Sequence, residues 1–158
     1  MNLGTSTIPA TGSSVRSLTK EALVAAPAID VWGAWTSNEG IASWWRAPAT
    51  HIDLRIGGSF EILFNMDAPE GERGSEGCRI LAYVPGESLS FTWNAPPHLP
   101  LRSANTWVVL TFVETESGST RVRLVHVGFL DGPHWDDYMT YFDTAWSYVL
   151  GLLSEHWS

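Results

Sequence analysis

The clearest pattern of apolar and polar positions lies at the C-terminal end of the chain. Between Trp135 and Leu153, apolar residues recur at intervals of three and four, while acidic and hydroxyl residues occupy the opposite positions. This spacing gives an α-helix one continuous apolar face, here over about six turns. We therefore predict a long amphipathic helix that packs its apolar face on the rest of the protein.

Period-two alternation dominates the middle of the chain and predicts β-strands. A first strand is expected over Val15 to Ala25. Six further strands follow one another after a helical interval, separated by turns and loops, and they cover residues 51–56, 59–65, 77–84, 89–93, 107–115 and 120–129. Because consecutive strands joined by short turns pair antiparallel with their neighbours, we predict an antiparallel meander.

Two short helices are predicted between the first strand and the meander. Pro27 suits the first turn of a helix, and Asp30 lies where the positive end of the helix dipole favours an acidic group. Thr36 and Glu39 have the spacing of a capping box, so the second helix is expected to begin there. That second helix carries three large apolar side chains on one side: Ile41, Trp44 and Trp45.

These elements together predict an α+β fold in which the long helix covers one face of a curved antiparallel sheet. Because a long helix cannot fill the concave side of a strongly bent sheet, a cavity is expected between the two. Residues 15–158 are assigned to this domain. Residues 1–14 are rich in Gly, Ser, Thr and Pro and are predicted to be a disordered tail.

The charge balance narrows the range of partners. The chain has 158 residues and a net charge of −8, and Lys20 is its only lysine. Nucleic acids and anionic membrane surfaces bind clustered positive charge, so neither is expected as a partner. The single cysteine, Cys78, permits no internal disulfide. The sequence shows no signal peptide and no apolar run long enough for membrane insertion, so we expect a cytoplasmic protein.

Several motifs of the chain resemble those of one known family. In chain order they are Ala26–Trp32, Trp44–Trp45, Asp53–Phe60, Pro85–Trp93, Gly118–Val122 and His126–Phe129, followed by the long helix. Together they resemble the activator of heat-shock protein 90 ATPase homologue family, which belongs to the START/SRPBCC superfamily, also called Bet v 1-like. The resemblance implies the helix-grip fold, with two short helices and a long C-terminal helix over a cavity.

The same resemblance implies three classes of function. The first, which we favour, is the binding of a small hydrophobic or lipid-like molecule in an internal pocket, for carriage, sequestration or sensing. The second is a cyclase- or hydrolase-type enzyme that acts on a polyketide-like or aromatic substrate in that pocket. The third is interaction with a chaperone, so a chaperone and a second copy of this chain both count as candidate partners. No cofactor is expected.

The strand and helix patterns predict which side chains face the pocket. Nine tryptophans are many for this length, and they indicate either a bulky core or an aromatic-lined cavity of the kind that suits small apolar ligands. No catalytic residue is assigned. The predicted ligand-binding residues are Trp44, Trp45, Phe60, Phe64, Arg79, Tyr83, Phe91, Trp93, Leu110, Phe112, His126, Trp135, Met139 and Phe142.

The role of His126 has two interpretations. It alternates with Val122 and Leu124 on a predicted strand, so all three side chains should point towards the pocket. A histidine there can act as a general base or anchor a ligand. The alternative is a core histidine that is hydrogen-bonded to the backbone.

The direction of Arg79 is also open. It points inward if it shares a face with Tyr83, and it points to solvent if Ile80 faces inward instead. A buried arginine requires an anionic ligand or an acidic partner, for which Glu61 and Glu76 are candidates.

A metal site is not expected. His51, Asp53 and Glu61 are residue types that bind metals, but their spacing does not bring three ligands to one point. The sequence also has no cysteine pair or His-x-x-x-His motif. We interpret the three residues as part of a polar sheet face.

Overall fold

Seven strands and three helices make up residues 15–158, the part of the chain that the computed structural model describes. In chain order they are β1 (Arg16–Val24), α1 (Ala28–Gly33), α2 (Asn38–Ala42), β2 (Ala49–Ile52), β3 (Phe60–Leu63), β4 (Ile80–Val84), β5 (Ser88–Trp93), β6 (Thr106–Glu114), β7 (Thr120–Phe129) and α3 (Pro133–His156). The order of elements is the predicted one, and it confirms the α+β fold class. The predicted tail, residues 1–14, lies outside the described residues.

The strands form a curved antiparallel sheet with the order β1-β7-β6-β5-β4, and β2 pairs with β3. The two parts are joined by backbone hydrogen bonds on either side of Arg79. Phe60 N donates to Cys78 O at 2.9 Å, and Ile80 N donates to Gly58 O at 2.8 Å. The predicted meander therefore runs from β2 to β7, and β1 adds to its far side by pairing with β7.

The two short helices begin close to the predicted positions. Pro27 is the N-cap of α1, and Asp30 lies in the first turn. The N-cap of α2 is Ser37, whose hydroxyl accepts a hydrogen bond from Gly40 N at 2.9 Å. The prediction of Thr36 as the capping residue was therefore wrong by one position. The Thr36 hydroxyl donates instead to the carbonyl of Gly33.

The predicted strand over residues 51–56 is wrong beyond its first two residues. β2 ends at Ile52, and the chain then turns back so that Gly58 N donates to Arg55 O. Gly58 has no room for a side chain there, since an added Cβ would lie 2.0 Å from Asp53 O. Ile56 consequently points into solvent and is 65% exposed, although its alternation with Ile52 predicted the same face.

A β-bulge at Leu81 decides which side chains of β4 face the core. Ile80 pairs with Phe91 and Ala82 pairs with Ser90, so Leu81 is the extra residue. Because the bulge shifts the alternation by one, Ile80 is buried and Tyr83 is half-buried on the inner side, while Leu81 is 42% exposed. Arg79 is exposed and donates to the Ser59 hydroxyl, so the inward alternative for this arginine is wrong.

The long helix α3 covers the inner face of the sheet, as predicted. Its buried side chains are Tyr138, Phe142, Trp146, Val149, Leu150, Leu152 and Leu153. Ion pairs from β1 hold its outer flank, with Lys20 bound to Asp143 at 2.8 Å and Arg16 bound to Asp136 at 2.7 Å. None of the helices within residues 15–158 combines the length and the apolar character that a membrane crossing requires.

Candidate functional site

Two neighbouring pockets open beside the middle of α3, with volumes of about 260 and 350 Å³. Four aromatic residues line both of them, so we treat them as two parts of one cleft, the α3 cleft. Three elements supply these residues, because Phe64 follows β3, Trp93 ends β5, and Tyr141 and Phe142 belong to α3. The cleft thus lies where the ends of two strands meet the long helix.

The smaller part, which we call the loop pocket, is walled by two loops, residues 65–78 and 94–105. Arg102 ties them together by donating to the carbonyls of Ala95, Gly71 and Gly74 at 2.5, 2.6 and 2.7 Å. Glu76 accepts from the backbone N–H groups of three residues of its own loop, Gly71, Arg73 and Gly74, and lies 3.4 Å from Arg102. These contacts hold the wall of the loop pocket in place without any ligand.

The larger part, the aromatic pocket, has one charged residue in its lining. Trp45, Trp146, Tyr148, Ala145 and Val149 add to the four shared aromatic rings, and Arg46 stands at the edge. The indole rings of Trp45 and Trp93 stack with centroids 6.0 Å apart and an interplanar angle of 25°. Both rings are only 5% and 4% exposed and form a packed part of the wall, and the more exposed rings of Phe64, Tyr141 and Tyr148 offer the larger flat apolar surface to a ligand.

Arg46 occupies a backbone conformation that side chains disfavour. Its φ is +61°, in the left-handed region, and it is the only non-glycine residue with positive φ among residues 15–158. A non-glycine residue in this region costs about 1–2 kcal/mol. The fold therefore stores strain at the one position that brings a positive charge to the aromatic pocket.

Replacing Arg46 by glycine is expected to stabilise the protein by about 0.5–1 kcal/mol, because relief of the left-handed strain exceeds the entropy that glycine adds to the unfolded chain. Arg46→Ala is the matched control, since it removes the same side chain and keeps the strain. Urea unfolding of the three proteins measures the difference. Equal stability of the glycine and alanine variants would contradict the strain argument.

A hydrogen-bonded cluster of polar side chains lies inside the core, separate from the cleft. Its members His126 and Thr106 are completely buried. Trp146 Nε1 donates to His126 Nδ1 at 3.0 Å, so Nδ1 carries no proton. The neutral ring must then be protonated on Nε2, which lies 2.8 Å from the Thr106 hydroxyl and donates to it. Thr106 in turn donates to Trp93 O at 2.9 Å, and Tyr138 donates to Thr106 at 3.0 Å. Every proton of the group is thereby assigned.

This network leaves His126 no lone pair with which to accept a proton from a ligand. Burial lowers the pKa of His126 from 6.5 to about 3, because the charged ring would lose its hydration. Burial also raises the pKa of Tyr138, which stays neutral. His126 is therefore a core histidine, as one alternative held, but its partners are side chains rather than backbone groups. The geometry does not supply a general base at this position.

The structure brings four of the predicted ligand-binding residues together in the α3 cleft: Trp45, Phe64, Trp93 and Phe142. Six others are buried in the packed core, namely Trp44, Phe60, Phe91, Leu110, Phe112 and His126. Ring contacts fill the space around them, for example Phe60 against Phe91 with centroids 3.9 Å apart. The room that remains between the sheet and α3 is therefore concentrated at the cleft.

The remaining four predicted residues lie away from the cleft. Arg79 is on the outer surface, and its supposed partners are engaged elsewhere, Glu61 with Gly77 N and Glu76 with Arg102. Tyr83 packs its ring 6.3 Å from that of Trp32, between β4 and α1. Trp135 and Met139 are half-buried on the first turns of α3, and neither lines the two pockets.

Sequence reasoning missed the polar edge of the cleft. Tyr141 and Tyr148 are 42% and 60% exposed, so the helical pattern assigns them to neither the core nor the pocket. Arg46 and Arg102 lie in loops, where no periodicity indicates a direction. The Trp-Trp-Arg run at positions 44–46 was the one available signal, because it places a cation next to two large rings.

Metal and thiol chemistry gain no support from the arrangement of these residues. Within residues 15–158, no three His, Cys, Asp or Glu side chains come close enough to hold a metal ion. His51 instead lies 3.2 Å from Glu61 as a surface pair. Cys78 is buried, and burial raises the pKa of its thiol to about 12, so the thiolate form is suppressed.

Known structures share this architecture. A crystal structure of a Mesorhizobium loti protein matches with a TM-score of 0.71 at 23% identity and covers 89% of this chain and 96% of that chain. The solution structure of the Aha1 dimer from Colwellia psychrerythraea gives 0.69 at 17% identity, with 90% and 96% covered. That of an AHSA1-like protein from Rhizobium etli gives 0.62 at 22% identity, with 90% and 81% covered. These likenesses show the fold.

The family itself is shown by the sequence. None of the curated proteins matches this chain. Residues 25–157 match the sequence model of a family described as Activator of Hsp90 ATPase homolog 1-like protein. The matched part contains the two short helices, the whole meander and α3, and therefore every residue of the α3 cleft. With the fold and most of its length in agreement, the chain belongs to the Activator of Hsp90 ATPase homolog 1-like protein family of the START/SRPBCC superfamily.

Proposed function

We propose that this protein binds a small, flat, hydrophobic molecule in the α3 cleft. The observation that carries the proposal is the aromatic pocket, where the stacked Trp45 and Trp93 rings meet Phe64 and two tyrosines in a space of about 350 Å³. Pockets for small molecules have volumes of about 300–1,000 Å³ and mainly apolar walls with few polar groups. START-type folds often bind hydrophobic ligands, which agrees with this reading.

The exposure of the rings supports a ligand rather than a core role. Phe64 and Tyr148 are 45% and 60% exposed, yet both lie beside the pocket opening. When a ligand covers apolar surface inside a concave space, more apolar area is removed from water than when it covers isolated surface residues. The complex is therefore stabilised more. At about 25 cal/mol per Å² of apolar area removed from water, covering such rings contributes favourably to binding.

The cleft is also formed before a ligand arrives. The Arg102 contacts to three carbonyls fix the loop pocket, and Phe142 is held by the ring of Trp146 at 5.8 Å. A ligand that enters a preformed site orders few additional groups, so less of the binding free energy is lost to conformational entropy.

The test uses N-phenyl-1-naphthylamine, a neutral probe whose fluorescence rises in apolar surroundings. We expect it to bind the wild-type protein and to quench tryptophan emission, since Trp45 and Trp93 lie in the pocket wall. Ala145→Phe should reduce its affinity at least about ten-fold, because Ala145 lines the aromatic pocket and the added ring occupies it.

Thr144→Phe is the matched control for this experiment. Thr144 is the preceding residue of α3 and is exposed, and it lines neither part of the cleft. Tyr148→Ala provides a second variant that does not threaten folding, and it should weaken binding by about three- to ten-fold. Equal probe affinity in wild type, Ala145→Phe and Tyr148→Ala would refute binding in the cleft.

A further inference from the structure

Basic residues outnumber acidic ones in the lining of the α3 cleft, whereas acidic residues outnumber basic ones in the whole chain. The sequence has 17 acidic and 9 basic residues. The two parts of the cleft are lined by three arginines, Arg46, Arg73 and Arg102, and by one acidic residue, Glu72. Positive groups beside apolar walls interact more strongly with an anion than they would in bulk water, because the local dielectric constant is lower.

The three arginines differ in their existing partners. Arg102 is occupied by three carbonyls and by Glu76, so its charge serves the loops. Arg73 donates from Nε to Ala68 O and follows Glu72 in the chain, which offsets its charge locally.

Arg46 is the arginine left available at the cleft. Within residues 15–158 it makes no hydrogen bond or ion pair, and it is the charged residue of the aromatic pocket. Its positive φ fixes the direction in which the chain leaves Trp45, the neighbouring ring of the pocket wall. The backbone thus keeps an unpaired guanidinium at the edge of a space lined by aromatic rings, at an energetic cost.

We infer that the ligand of this cleft is an aromatic anion: a flat ring system in the aromatic pocket with one carboxylate, sulfonate or similar group against Arg46. This inference rests on the proposed function, since it specifies the chemical class of the molecule that the cleft binds. The aromatic rings that line the pocket, with Phe64, Tyr141 and Tyr148 the most exposed, contact the flat part, and the planar guanidinium of Arg46 binds two oxygens of the anionic group.

The experiment compares two probes that share one ring system. N-phenyl-1-naphthylamine is neutral, and 8-anilinonaphthalene-1-sulfonate is the same molecule with one sulfonate added. We expect Arg46→Gln to lower the affinity for the sulfonate by about three- to ten-fold and to change the affinity for the neutral probe less than two-fold. Arg46→Lys should retain part of the sulfonate affinity, because it keeps the charge and loses the planar pair of donors.

Arg121→Gln controls for net charge. Arg121 is exposed on β7 and lines neither part of the cleft, so this variant changes the overall charge equally and should leave both affinities unchanged. Raising the salt concentration should weaken sulfonate binding to the wild type and bring it towards that of Arg46→Gln.

The outcomes separate this inference from the proposed function. If neither probe binds the wild-type protein, both fail. If both probes bind and Arg46→Gln affects them equally, the cleft binds ligands but the anion is not recognised there, and the inference is overturned. A selective loss of sulfonate binding in Arg73→Gln instead of Arg46→Gln would overturn the assignment to Arg46.

Discussion

Replacing Thr106 by valine, a residue of the same shape, is expected to destabilise the protein by about 3–5 kcal/mol. The substitution removes the acceptor of the His126 Nε2–H and Tyr138 O–H groups, and it removes the donor to Trp93 O. All of these groups lie in the core, where each unsatisfied polar group costs about 1–3 kcal/mol. The loss is a large part of a total stability of about 5–15 kcal/mol.

Two further variants isolate the effect of the hydroxyl. Thr106→Ser keeps the oxygen and should lose only about 1 kcal/mol for the missing methyl group. Thr111→Val lies on the same strand, and within residues 15–158 the Thr111 hydroxyl makes no hydrogen bond, so it should change stability by less than about 0.5 kcal/mol. Urea unfolding measures all three. A Thr106→Val protein as stable as Thr106→Ser would show that the network has been assigned incorrectly.

Lowering the pH should destabilise the protein because of His126. The loss of stability should begin at a pH well above the one at which His126 becomes charged in the folded state. The pKa of His126 is about 3 in the folded protein and about 6.5 in the unfolded chain. Between these values the unfolded chain binds the proton and the folded protein does not, so lowering the pH favours unfolding. The stability contributed by the neutral ring is complete above about pH 6.5 and decreases by about 1.4 kcal/mol per pH unit as the pH falls towards 3.

Unfolding free energies of the wild type and His126→Gln, measured from pH 7 to pH 5, test this expectation. The difference between the two proteins should shrink by about 2 kcal/mol over that range, since glutamine binds no proton. Nitrogen NMR of the histidine ring gives an independent measurement and should show the proton on Nε2 at pH 7. A pH-independent difference, or a proton on Nδ1, would contradict the proposed hydrogen-bond network.

Periodicity alone was sufficient for the elements that make up most of the fold. In β5 to β7, residues such as Phe91, Leu110 and Leu124 alternate without interruption and are all fully buried. The pattern of α3 also identified Phe142 and Trp146 as inward-facing. These predictions succeeded because each depends on one element and on one face of it.

The details that failed depend on contacts between elements. The bulge at Leu81 moves Tyr83 to the inner face, and local alternation contains no signal for an extra residue. The partners of His126 are Thr106 and Trp146, each 20 residues away along the chain. Whether aromatic side chains fill a space or line it depends on their volumes and rotamers in three dimensions, so Phe112 and Trp93 could not be distinguished as core and cleft residues.

The pairing of β1 with β7 has a consequence for how this protein is made. Arg16 lies opposite Phe129 and Val24 lies opposite Thr120, so β1 has no neighbour in the sheet until β7 has left the ribosome. α3 is synthesised after β7, and its Asp143 binds Lys20 of β1. Until then, β1 is an unpaired edge of the kind that associates with other chains. The sheet therefore cannot be completed before β7 has been synthesised, and until then the nascent chain depends most on protection from aggregation.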